Sequence, residues 1–217
     1  MTESELISQK ILLALQKNKI PAYRKYTEAA GNVVLDFSRD VGYLTYEFFD
    51  SDNRGRNKNE TIRLIETLKK GSFRVRITEI VKIVASEFTA YIPEKILELV
   101  PGKLGKMTGD IFVNKVLMQD MASLLADKLI TRIGINAVFS TALMLGGARA
   151  RAIYASQRLF NETPKIYYRL KDKGDLDLLF FIVEDHLDPF IKAILIAKKS
   201  PSEFEKIVLT VINGISQ

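Results

Sequence analysis

The 217-residue sequence has no cysteine, no tryptophan and a single histidine, His186. Without cysteine there can be no disulfide, thiolate nucleophile, iron–sulfur cluster or cysteine zinc site. With one histidine, any mechanism that needs two is excluded. A metal site would have to be built almost wholly from carboxylates, so no metal and no other cofactor is expected. Proline is scarce, at six residues, and none lies between Thr108 and Arg158. That span lacks the strongest helix breaker. The opening Met1-Thr2-Glu3-Ser4-Glu5 is acidic where a cleavable signal peptide is basic. The expected location is the cytoplasm, or outside the cell by a route that uses no cleavable signal.

Apolar residues make up 47% of the chain and charged residues 27%, with a mean hydropathy of +0.03 and a net charge of +6. This is an ordinary globular mix, with enough apolar material for a sizeable core. The length fits one domain over residues 1–217, with an N-terminal subdomain over 1–71 as the alternative division.

Helical patterning dominates. Thr2-x-x-Glu5 has the spacing of a capping box, and Leu6, Ile7, Ile11, Leu12 and Leu15 follow at helical intervals. Residues 50–59 read as a polar loop, and 62–68 as a short helix stopped by Gly71. Residues 73–92 open with a Phe73/Val75/Ile77 alternation before turning helical. Pro164 suits a helix start, with the stop before Gly174. Residues 175–187 and 189–198 read as two apolar helices joined at Asp188-Pro189, with Asp188 as N-cap of the second. Ser200-Pro201-x-Glu203 opens a last helix with Phe204, Ile207, Val208 and Val211 on its apolar side. Residues 33–48 fit either a helix or a small β-hairpin. The predicted fold is an all-α multi-helix bundle around a buried central helix.

Charge is unevenly placed. Lys128, Arg132, Arg149, Arg151, Arg158, Lys165, Arg169 and Lys171 face only one acid, Glu162, a local net of +7. Residues 172–188 then carry a net of −5. Either the two segments neutralise each other, or the first presents a cationic surface to phosphates or to an acidic partner. The candidate anion- or partner-binding residues are Arg149, Arg151, Arg158 and Arg132. Arg54, Arg56 and Lys58, around Gly55, form a secondary basic loop.

Leu129 to Ala148 holds only one charge, Arg132, and is long enough to span a bilayer. Its Thr131, Asn136, Ser140 and Thr141 favour a central helix in a bundle over a membrane span. In Glu184-Asp185-His186-Leu187-Asp188, His186 with Asp185 is a candidate pH-sensitive pair, although no positioned nucleophile accompanies it. Pro101-Gly102-Lys103-Leu104-Gly105-Lys106-Met107-Thr108 imitates a phosphate loop. Two residues separate its glycines where four are needed, and Met107 stands where a magnesium-binding hydroxyl belongs. It reads better as an inter-helix connection with Thr108 as N-cap.

Glu28-Ala29-Ala30-Gly31 and the later Tyr43-Leu44-Thr45-Tyr46-Glu47-Phe48-Phe49 resemble the N-terminal helix-turn-helix of all-helical repressors of the TetR type. That resemblance implies DNA binding. It departs from the family pattern at Asn32 to Val41, an apolar insertion carrying Asp36 and Asp40 where the recognition helix should begin.

These features favour a non-enzymatic binding or effector-type protein that docks a protein partner or an anionic surface through a basic helical face. The alternatives are a membrane-active protein meeting anionic lipid and a helical DNA-binding regulator. Of the possible partners, nucleic acid is the least favoured.

Overall fold

The computed structural model describes residues 2–15, 51–69, 72–101, 108–123 and 147–215. The 33–48 segment, the TetR-like residues, Arg132 and most of the 129–148 stretch lie outside the described residues. Among those described, all regular structure is helical and no strand occurs, which makes the fold all-α and multi-helix. Packing divides the chain into two compact units, each assembled from separated segments.

The first unit comprises residues 1–17, 75–127 and 183–217. Helix α1 (Glu3–Leu15) starts with the expected capping box. The Thr2 backbone N–H donates to Glu5 Oε2 at 2.7 Å, and the Glu5 N–H donates to Thr2 Oγ1 at 3.3 Å. Its Ile7, Ile11 and Ala14 are buried, and it packs against α8 (Glu184–Lys199) and α9 (Pro201–Ile215). Helix α3 (Phe73–Thr89) buries Ile77, Ile80, Val81, Val84 and Phe88, one stripe at helical spacing. Phe88 meets Phe190 and Phe204 edge-on, with ring centroids 5.4 and 5.3 Å apart. All three rings are essentially inaccessible to solvent, and they centre this core. Short helix α4 (Glu94–Leu97) follows Pro93. Thr108 caps α5 (Gly109–Ile111), its Oγ1 accepting from the Ile111 N–H at 3.3 Å, and the chain continues as a π-helix over Phe112–Asp120.

The second unit comprises residues 18–74 and 128–182. A 3₁₀ turn (Ser51–Asn53) leads into α2 (Arg54–Lys69). Helix α6 (Gly147–Glu162) and helix α7 (Pro164–Asp172) form a consecutive pair, followed by a 3₁₀ helix (Leu176–Ile182). Helix α6 packs on α7, on α2 and on the 3₁₀ segment.

Three local expectations are corrected. The basic loop is helical: Ser51-Asp52-Asn53 supply the turn, and Asn57 turns inward to give α2 a buried side from its start. Phe73 to Ile77 belongs wholly to α3, whose buried stripe overrides the short alternation. Asp188 does not start a helix, because α8 runs unbroken from Glu184 through Pro189. Pro189 sits one turn in, so its missing N–H forfeits only one bond, to a carbonyl of the first turn. The real break is at Val183, after a 3₁₀ segment in which Leu176 to Phe181 are all buried.

Candidate functional site

The basic segment becomes the α6–α7 pair. Thr163 and Pro164 make the turn between them: the Thr163 N–H and hydroxyl both donate to the Leu159 carbonyl, at 2.8 and 3.3 Å, and Pro164 occupies the first helical turn. On α7, Ile166, Tyr167 and Leu170 are buried. The 3.6-residue repeat therefore turns Lys165 and Tyr168 outward, with Arg169 half-buried at the edge of that side.

At the same corner Phe160 of α6 meets both tyrosines. Ring centroids are 5.1 Å apart for Phe160 and Tyr167, 6.0 Å for Phe160 and Tyr168, and 5.2 Å for Tyr167 and Tyr168. All three contacts are edge-to-face. Tyr167 is 9% exposed, but Phe160 is 41% and Tyr168 52% exposed. Lys171 donates to the Tyr167 hydroxyl at 3.1 Å, and that hydrogen bond holds its ammonium above the ordinary lysine pKa.

The arginines singled out from the sequence do not share one face. Arg158 is exposed. Arg149 is half-buried, and its Nη1 donates to Thr61 Oγ1 of α2 at 3.1 Å. Arg151 is 7% exposed: its guanidinium lies 5.6 Å from the centre of the Phe181 ring and donates to the Phe181 carbonyl at 3.3 Å. It is a packing residue. On α2, Arg56 and Lys58 are exposed while Asn57 between them is buried, donating to the Tyr154 hydroxyl at 3.3 Å. Arg54 begins the same helix. His186 and Asp185 lie on α8, in the first unit, half-buried and exposed respectively.

Sequence reasoning missed a polar cluster at the heart of the second unit. Asp177, with no exposed surface, accepts from Ser156 Oγ at 2.7 Å and from Arg63 Nη2 at 2.9 Å. Arg63 also donates to Asp175, at 2.8 Å from Nε and 2.6 Å from Nη2, and pairs with Glu60. Asp175 is held at φ 61, directly after Gly174 at φ 97. The left-handed turn after α7 brings its carboxylate to Arg63. Burial pushes the Asp177 carboxyl above its ordinary pKa, partly opposed by the Ser156 hydrogen bond and the Arg63 charge. Burial also works against the Arg63 charge, but Asp177, Asp175 and Glu60 outweigh it and hold the guanidinium above its ordinary pKa. One signal for this cluster was available: Asp177 is a lone acid inside the apolar run Leu176-Asp177-Leu178-Leu179-Phe180-Phe181-Ile182.

Ser156 is 4% exposed, and its hydroxyl is committed to the Asp177 carboxylate. Among the described residues, no group of three acidic or histidine side chains is arranged to hold a metal ion, and no helix is long and apolar enough to cross a membrane. A scan against protein-family models, a search of curated proteins and a search of solved structures each return no match.

Proposed function

We propose that this protein works by binding, and that the α6–α7 pair docks a protein partner of acidic character. The observation that carries the reading is the pairing of exposed rings, Phe160 and Tyr168, with positive charge at one corner. Residues 147–173 hold seven basic side chains against two acids, a net of +5. Downstream, Asp175 and Asp177 pair with Arg63 of α2, and the charge of Lys171, from the basic run itself, also reaches Asp177. Burial of Arg151 narrows the basic surface to its outer members, Arg158, Lys165 and Arg169. Opposite charge steers association and fixes register, while partly exposed aromatic rings supply apolar area on contact.

The test is retention of the full chain on immobilised polyglutamate. Binding should be released by salt, since exposed charges are screened within a Debye length of about 10 Å at 0.1 M. A variant with Arg158, Lys165 and Arg169 changed to Gln should elute at lower salt. Stronger retention on phosphatidylserine vesicles or on duplex DNA would overturn the reading, in favour of lipid or nucleic-acid binding respectively. Arg151 is unsuitable for this purpose, because its replacement disturbs the core.

A further inference from the structure

Resting on that reading, we infer that the docking site is the three-ring corner itself, and that its occupant is a short acidic peptide segment of a partner protein with an apolar side chain between its carboxylates. Three observations lead there. Phe160 and Tyr168 leave 41% and 52% of their surface in water although both touch Tyr167, whose 9% exposure shows that the corner is packed from below. The rings are therefore held in place before any partner arrives, which lowers the ordering cost of binding. Lys165, exposed, and Arg169, half-buried, lie one turn apart on α7, so cationic groups lie before and after Tyr168 along the helix. An apolar side chain seated against Tyr168 and Phe160 would have its neighbouring carboxylates within reach of both.

The same geometry argues against a nucleic-acid strand. Glu162 and Asp172, both exposed, border the corner. A continuous phosphate backbone would meet their charge, whereas a peptide with a few spaced carboxylates can avoid it.

The experiment is fluorescence anisotropy on the full chain with a labelled peptide of alternating Asp/Glu and Phe/Leu. Comparison probes are the same peptide with Lys in place of each acid, a single-stranded DNA oligomer, and phosphatidylserine vesicles. The acidic peptide should bind, the basic one should not, and high salt should weaken the complex. Tyr168→Ser and Phe160→Ser should each weaken it about tenfold, as expected for aromatic anchors at the centre of a contact. Ile62→Ser, on the exposed side of α2 in the same unit, should leave it unchanged. Both ring positions are substantially exposed, so the variants should keep the helical circular dichroism and melting midpoint of the parent.

If the acidic peptide binds but neither ring variant weakens it, the corner is excluded while acidic-partner binding stands. Weakening by Arg56→Glu and Lys58→Glu in place of the ring variants would move the site to α2, again excluding the corner and leaving acidic-partner binding in place. If only the oligomer or the vesicles bind, or if no probe binds, both this inference and the function it rests on are overturned.

Discussion

Asp177 shows how much one buried charge can demand of its surroundings. Its two oxygens are taken by different donors, Ser156 and Arg63. Removing the carboxylate leaves Ser156 without its acceptor and Arg63 with one partner fewer. Asp177→Ala should therefore lower stability by about 1–3 kcal/mol. Asp177→Asn keeps the shape, can accept from Arg63 and can donate to the Ser156 hydroxyl, so its cost should be about 1 kcal/mol. The pH dependence has a definite sign. Because the folded-state pKa lies above the ordinary value of 3.8, the folded protein holds this proton more tightly than the unfolded chain. Lowering the pH from neutral through that raised pKa stabilises the wild type relative to Asp177→Asn. Urea midpoints of the two proteins at neutral and mildly acidic pH should diverge in that direction, and parallel behaviour would show that the carboxylate is not desolvated.

Close contact between α4 and α5 makes Gly109 a second sensitive position. A Cβ added there would stand 2.7 Å from the Leu97 Cβ and 3.0 Å from the Leu97 carbonyl oxygen. Backbone cannot yield as a side-chain tip does, so Gly109→Ala should destabilise by about 1–3 kcal/mol, read as a lower melting temperature. Helices α1 and α9 and the body of α3 were legible in the sequence because 3.6-residue spacing is local, as is the capping box of α1. So were the start of α7 at Pro164 and the Thr108 cap. The route from Leu176 to Lys199 was not. Proline rules place the break at Asp188-Pro189, but tertiary burial tolerates Pro189 inside α8 and sets the break at Val183. The start of α2 was missed for a similar reason. Its first turns are polar, and only the burial of Asn57 against Tyr154 distinguishes them from a loop. The candidate surface was half legible. Charge counting found the basic run but could not tell the outward Lys165 from the inward Arg151, nor see that Phe160 would join Tyr167 and Tyr168 across a turn.

Neither compact unit is a continuous stretch of chain. The first closes only when α1 meets α8 and α9, a contact sealed by a hydrogen bond of 2.9 Å from Ser4 Oγ to Glu203 Oε2, 199 residues apart. A chain lacking residues 201–217 loses the cover over Ile7, Ile11 and Phe88. It should bind a hydrophobic dye and lose the cooperative unfolding of the full chain, whereas an unchanged melting curve would contradict this packing. The same clasp has a consequence for biosynthesis. On the ribosome α1 emerges well before α8 and α9, so its greasy flank must wait while the helices between them are made. Until α8 and α9 are made, the apolar side of α1 lacks its native cover, an exposure that favours aggregation of the incomplete chain.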